Sequence, residues 1–248
     1  MAEAAKPGGA AALLDEAFAC FARGDGAGAR KRFAELTGLS GVPREMLLQA
    51  HYQLGLMTLD AGEAARAATH FEKAHALSPE HPGLSLNFGK ALLLSGSPAA
   101  ALPHLQRAAG GDPQAAVWVA RAHLFSGNAG EAAAQFDRLL PSLDPDPDVL
   151  CDVGLALERA GERNRATGIY GEVREKFPTH FDALVREAES LRSAHLYPAA
   201  SRLLQTAARI APADARKLHD LGLALHELGL KEEAEAAFNR SLKVQGTA

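Results

Sequence analysis

Residues 64–82 read AARAATHFEKAHALSPEHP. Ala67, Phe71 and Ala74 stand four and then three residues apart, and Pro79 follows five later. That spacing lays the first three on one face of a helix. Proline cannot continue a helix, so Pro79 closes this one or opens the next element. A helix with such a stripe needs neighbours to cover it.

The same spacing recurs along the chain. From Ala29, alanine returns at 67, 101, 132, 166, 200 and 234, and four of these steps are 34 residues long. The step to Ala67 is 38 and the step to Ala132 is 31. Four residues after each alanine stands a large apolar residue: Phe33, Phe71, Leu105, Phe136, Tyr170, Leu204 and Phe238. Three further on come Leu36, Ala74, Ala108, Leu139, Val173 and Ala207, with Ser241 in the last unit. Proline closes most units at 79, 113, 178 and 212, and at 145 one place late.

The upstream halves repeat too. Twelve residues before each alanine is Ala17, Gly55, Gly89, Ala120, Gly154, Ala188 or Gly222. Five before it is Gly24, Gly62, Gly96, Gly127, Gly161 or Gly229, and only His195 departs. Glycine there fits the left-handed residue after a helix end. Each unit therefore reads as helix, turn, helix. The small residue lets the second helix approach, and the large one fills the groove beside it.

Runs such as LGLMTLDAGEAARAATHFEKAHALSP, VGLALERAGERNRATGIYGEVREKFP and LGLALHELGLKEEAEAAFNRSL resemble the tetratricopeptide repeat (TPR) family. The resemblance implies an all-α fold: an α-solenoid of stacked helix-turn-helix hairpins in a right-handed superhelix. It assigns residues 1–9 to a flexible tail and 10–248 to a single solenoid. The repeats fall at 10–43, 48–81, 82–112, 113–146, 147–180, 181–214 and 215–248. His51, Ser85 and Ala116 stand where the family has a large aromatic, so looser packing is expected there. Truncating Phe136 to Ala should cost about 3–5 kcal/mol. The last helix should leave Phe238 or Leu242 partly exposed, with Ser241 softening that outer face a little. That face is expected to dock or self-associate, to be covered by a natural chain that continues further, or to stand as a small tolerated apolar patch.

Composition agrees with this class. The 248 residues carry a net charge of −4, with 47% hydrophobic and 6% aromatic residues. Ala and Leu dominate, which favours helices over sheets. No basic block suggests nucleic acid or an anionic membrane surface. No apolar run could span a bilayer, and the N-terminus makes a poor signal peptide. Cys20 and Cys151 are too few for a disulfide framework, which favours a reducing cytoplasm. The Ala, Gly and Arg bias suggests a bacterial, high-GC source.

In the family the first helices line a concave groove. Carried onto this chain, the N-terminal half of that groove presents Tyr52, Leu86, Asn87, Lys90, Trp118, Arg121 and Phe125. The C-terminal half includes Arg159 and Arg186 and is strongly charged. Aromatic residues and Arg anchor interfaces, so these residues are expected to hold a peptide or helix of a partner. The competing reading has Trp118 and Phe125 only filling space between repeats. Two family variants do not fit. Tyr52, Gln53 and Leu56 stand where a C-terminal carboxylate clamp needs Lys and Asn, and the asparagine ladder of O-linked N-acetylglucosamine transferase is absent.

Catalytic signals are weak. GGDPQ and GDGAG lack the Lys of a phosphate loop. Both cysteines fall on repeat positions and read as structural. His219 and His226 are seven apart, about 10 Å by helical rise, too far for one metal ion. SLDPDPD at 142–148 reads as a proline-stiffened connector. No enzyme activity, cofactor or metal is expected. The leading function is a protein-binding adaptor or chaperone-like module. The alternatives are the recognition arm of an enzyme such as a glycosyltransferase or sulfotransferase, and a self-assembling scaffold.

Overall fold

The computed structural model describes residues 9–246 apart from 82, 111, 143 and 145. Of the tail expected at 1–9, residues 1–8 lie outside the described residues, as do parts of the 142–148 connector, and Gly9 opens the first helix. Fourteen α-helices and no β-strand occur among the described residues. The chain divides into two compact units, 1–127 and 128–248.

Unit 1 holds α1 (Gly9–Ala22), α2 (Gly26–Gly38), α3 (Arg44–Asp60), α4 (Ala64–Leu77), α5 (Leu84–Leu94), α6 (Pro98–Ala108) and α7 (Pro113–Phe125). Each packs on the next, and α1, α3, α5 and α7 also lie side by side. Unit 2 holds α8 (Ala129–Leu139), α9 (Pro147–Arg159), α10 (Arg163–Lys176), α11 (Phe181–Ser193), α12 (Tyr197–Ile210), α13 (Ala215–Glu227) and α14 (Lys231–Gly246). There α9, α11 and α13 form the corresponding row. A 3-10 turn at Leu140–Ser142 follows α8.

Local chemistry explains where these helices begin. Asp25, Asp112, Asp146 and Asp214 each accept a backbone N–H of the first turn they precede. Such caps satisfy donors that the helix cannot, at about 1 kcal/mol each. Pro113 and Pro147 sit at the first helical position, where no N–H is needed.

The turns behave as the sequence demands. All six turn glycines have φ between 76° and 89°, and His195 takes the same left-handed conformation at φ 62°. His195 Nδ1 meets the Tyr197 hydroxyl at 2.8 Å.

Inside the hairpins the small-against-large pairing is direct. A Cβ added at Gly55 would lie 2.5 Å from the Phe71 ring. The matching distances are 2.6 Å for Gly89 to Leu105, 2.3 Å for Gly154 to Tyr170 and 2.5 Å for Gly222 to Phe238. Real carbon contacts rest near 3.5–4.0 Å, so no side chain larger than hydrogen fits there without movement. Phe33, Phe71, Leu105, Phe136 and Tyr170 are fully buried.

Two places differ from the sequence reading. Ser241 does not soften the outer surface. It is buried, and its hydroxyl donates to the Ala215 carbonyl at 2.6 Å. At the positions expected to pack more loosely, His51 and Ser85 are buried and Ala116 is half-buried. His51 Nδ1 approaches His70 Nδ1 at 3.4 Å, and the two rings lie with their centroids 5.7 Å apart. Leu242 is 64% exposed on α14, as anticipated for the last helix.

Candidate functional site

On unit 1, α3, α5 and α7 lie side by side, and each carries one stripe of regularly spaced residues. Tyr52, Leu56 and Leu59 lie on α3; Leu86, Lys90 and Leu94 on α5; Trp118, Arg121 and Phe125 on α7. Steps of three and four keep each trio on one face. The nine residues include two cations and no carboxylate.

The centre is Trp118. Lys90 Nζ lies 4.9 Å from its ring centroid and the Arg121 guanidinium carbon 4.7 Å. The quadrupole of the indole attracts each cation, by roughly 0.5–2 kcal/mol depending on desolvation. Two positive charges therefore crowd one ring. Burial pushes the Lys90 amine below its ordinary range, and Arg121 pushes it the same way, with Asp112 opposing. Leu86 packs beside Trp118 in the same apolar cluster.

A polar clasp joins α3 to α5. The Asn87 amide donates to the Tyr52 hydroxyl and to the Gly83 carbonyl, each at 3.1 Å. The Tyr52 ring stands 5.0 Å from His81 and 6.0 Å from Phe71. Tyr52 and Asn87 are thus tied to the scaffold, whereas Phe125 is 50% exposed at the end of α7.

A wider hollow of about 810 Å³ lies on the other side of α3, between α2 and α4. Of its lining cations, Arg30 and Arg66 are both paired with Glu63, and Lys31 stands 4.0 Å from Glu35.

On unit 2, the inward side of α11 and α13 forms a groove of about 350 Å³. Arg186, Glu189, Arg192, Lys217, Asp220 and Glu227 line it. Lys217 bonds Asp182 at 2.6 Å and Arg192 bonds Glu227 at 3.2 Å. Mutual pairing neutralises much of this surface. Arg186 is half-buried within it, while Arg159 is exposed in the last turn of α9.

The structure also assembles a constellation absent from the sequence reading. Asp148, His180 and Asp182 bring ligand atoms within 4.8 Å of one another. His180 Nε2 lies 3.1 Å from Asp148 Oδ1, and Cys151 Sγ lies 3.7 Å from His180 Nδ1. Yet Nδ1 accepts the Ala183 N–H that begins α11, which assigns the ring proton to Nε2 and to Asp148. A cation would have to displace that proton and also Lys217 from Asp182. The order thiol, imidazole, carboxylate matches a nucleophile relay. Here, however, burial pushes the Cys151 thiol up to about 12, against Arg186, which alone among its neighbours lowers it. The group is best described as a capping network that fixes α9 to α11.

Comparisons with known proteins agree with this architecture. Models of the tetratricopeptide repeat match residues 58–118 and 215–247. No curated protein sequence matches the chain. A tetratricopeptide repeat protein from Parabacteroides merdae superposes with a TM-score of 0.74 at 13% identity, covering 95% of this chain and 93% of that one. MamA from Desulfovibrio magneticus gives 0.56 at 24% identity, over 67% of this chain and 93% of that one. PilF from Pseudomonas aeruginosa gives 0.57 at 19% identity, over 81% and 92%. At these identities the likeness is one of fold. The chain carries tetratricopeptide-repeat sequence at 58–118 and 215–247 and has an all-α solenoid fold.

Proposed function

We propose that this tetratricopeptide-repeat protein is a non-catalytic interaction module, an adaptor or scaffold. Its unit 1 face takes a polypeptide segment of a partner. The observation that carries this reading is the placement of Lys90 and Arg121 on the Trp118 ring beside the exposed Phe125. Aromatic residues and Arg contribute most of the binding energy at interface centres. A fixed polar clasp at Tyr52 and Asn87 holds α3 and α5 in place, so little ordering accompanies binding. Free, buried Cys20 and Cys151 support a reducing compartment such as the cytoplasm.

The test is affinity capture from the native host with the tagged full chain. Partner recovery is expected to fall with Trp118→Ala and with Arg121→Glu, and to persist with Gln106→Glu on the exposed side of α6. Equal recovery with Trp118→Ala removes this face from the site. A second reading, self-association through α14, is favoured by the exposure of Leu242. Light scattering that gives a concentration-independent monomer eliminates it.

A further inference from the structure

No hairpin follows α14 among the described residues, and the joints between earlier hairpins show what covers such a face. Those joints reuse the same repeat positions. Asp148 accepts from His180, the cap of α11, at 3.1 Å, and 34 residues later Asp182 accepts from Lys217 of α13 at 2.6 Å. Arg192 bonds Glu227 of α13 at 3.2 Å, and Gln205 donates to Glu233 of α14 at 3.1 Å. Arg174 bonds the buried Glu187 of α11 at 2.8 Å. In unit 1 the places of Arg174 and Glu187 are held by His75 and Phe88, whose rings lie 5.8 Å apart.

Carried to the last hairpin, this series ends on an uncovered face. Arg216, His226 and Asn239 stand 34 residues after Asp182, Arg192 and Gln205, and Leu242 stands 68 after Arg174. All four are exposed, Leu242 by 64%. Arg216 makes no ion pair among the described residues. The face is one half of a joint.

The helix that completes it can be read from α13, which fills the same role one hairpin earlier. There Leu218, Leu221 and Leu225 are buried, three and four residues apart. Lys217 just before them and Glu227 two residues after them carry the ion pairs to α11. At the end face the first charge is reversed. Arg216 occupies the place of Asp182, so its partner position calls for a carboxylate instead of Lys217. His226 occupies the place of Arg192, and a carboxylate such as Glu227 again suits it. Leu242 calls for an apolar residue at the place of Leu221, which already shares an apolar cluster with Ala208, one repeat before Leu242.

The chain's own first helix does not meet these demands. At the three matching places α1 has Ala12, Glu16 and Ala22. A second copy stacked end to end leaves Arg216 and His226 without a carboxylate. It also sets Glu16, bonded to Arg32 at 2.8 Å, against Leu242, and a carboxylate buried on an apolar side chain is costly. We infer that the α13–α14 end face receives an amphipathic helix of another polypeptide, laid as the first helix of a further hairpin. That helix has leucine-like residues three and four apart, a carboxylate just before the first and another two residues after the last. This surface is distinct from the Trp118 face and does not rest on it.

The test titrates the full-length protein into fluorescein-labelled, Ala-based helices of about 18 residues, long enough to hold helix in water, and reads anisotropy. The probe carries Glu at its third and thirteenth places and Leu at its fourth, seventh and eleventh. It is expected to bind saturably. Lys at the third place should weaken binding about fivefold, and Glu at the seventh at least about tenfold. With helical circular dichroism unchanged, Arg216→Glu should reverse the preference between the Glu and Lys probes, and Leu242→Glu should abolish binding. A peptide of residues 9–22 of this chain, standing for the second copy, should stay silent. Its binding as tightly as the probe overturns the assignment to another polypeptide. An order of Glu and Lys probes that Arg216→Glu leaves unchanged overturns the placement on this face. Silence toward every probe overturns the inference as a whole.

Discussion

Replacing Gly55 with Ala should destabilise the protein, although helix propensity alone predicts the opposite. Gly55 is buried inside α3, where Ala is favoured over Gly by about 1 kcal/mol. The new methyl would meet Cε1, Cδ1 and Cζ of Phe71 at 2.5, 2.7 and 2.8 Å. The ring must retreat by about 1 Å to reach ordinary contact. Phe71 is fully buried, so it can move only by leaving its rotamer or by parting α3 from α4. Overpacking of this kind costs about 1–3 kcal/mol, which leaves a net loss of about 1 kcal/mol. Gly168→Ala in α10 is the control, because nothing lies within 4 Å of its added carbon. It should gain about 1 kcal/mol. Thermal melts read the contrast at about 2–4 °C per kcal/mol for a chain of this size. Adding Phe71→Leu to Gly55→Ala should restore part of the loss, since the buried Ala188 and Leu204 occupy the same two repeat positions in unit 2. The double variant should then be less destabilised than the sum of its singles. If Gly55→Ala raises the melting temperature as Gly168→Ala does, or if the two substitutions at 55 and 71 simply add, the close-approach account of the hairpin fails.

Other outcomes follow from the same structure. His195→Gly should stabilise by about 1 kcal/mol, because a left-handed conformation costs an L-residue about 1–2 kcal/mol and glycine little; urea midpoints at constant slope check this. His51 is pushed down from 6.5 to about 4, chiefly by burial and then by His70 and Lys73. Its contribution is therefore full above pH 6.5 and lost as pH falls toward 4, worth up to about 3 kcal/mol. A pH series of urea melts should show that decline, and His51→Gln should flatten it; an unchanged slope argues against the burial assigned to His51. The Cys151 thiol, raised to about 12, should resist iodoacetamide at pH 8 until the chain is unfolded, and prompt alkylation of the native protein contradicts its burial.

Much of the fold was legible because its instructions are local and repeated. The 34-residue alanine series places both members of each small-against-large pair, and the turn position is marked by glycine in six units. His195 was visible as the exception, and it adopts the glycine conformation all the same. Trp118 and Arg121 were legible as neighbours because they lie one turn apart on α7. The approach of Lys90 to the same ring depends on the packing of α5 against α7, which no local spacing states. The Asp148, Cys151 and His180 network escaped for the same reason: its members lie on α9 and at the start of α11, and each alone has an ordinary local role. Ser241 misled because a hydroxyl at an apolar position reads as outward, whereas one backbone carbonyl suffices to bury it.

The claim on which the functional account rests is that the inward face around Trp118 meets another polypeptide. Site-specific photo-crosslinking in the native host tests it most directly. A benzophenone amino acid replaces Phe125 in one variant and Gln106, on the exposed side of α6, in another. The account predicts a discrete crosslinked polypeptide from position 125 and none from position 106. Crosslinks that are absent at 125, or identical at both positions, contradict it.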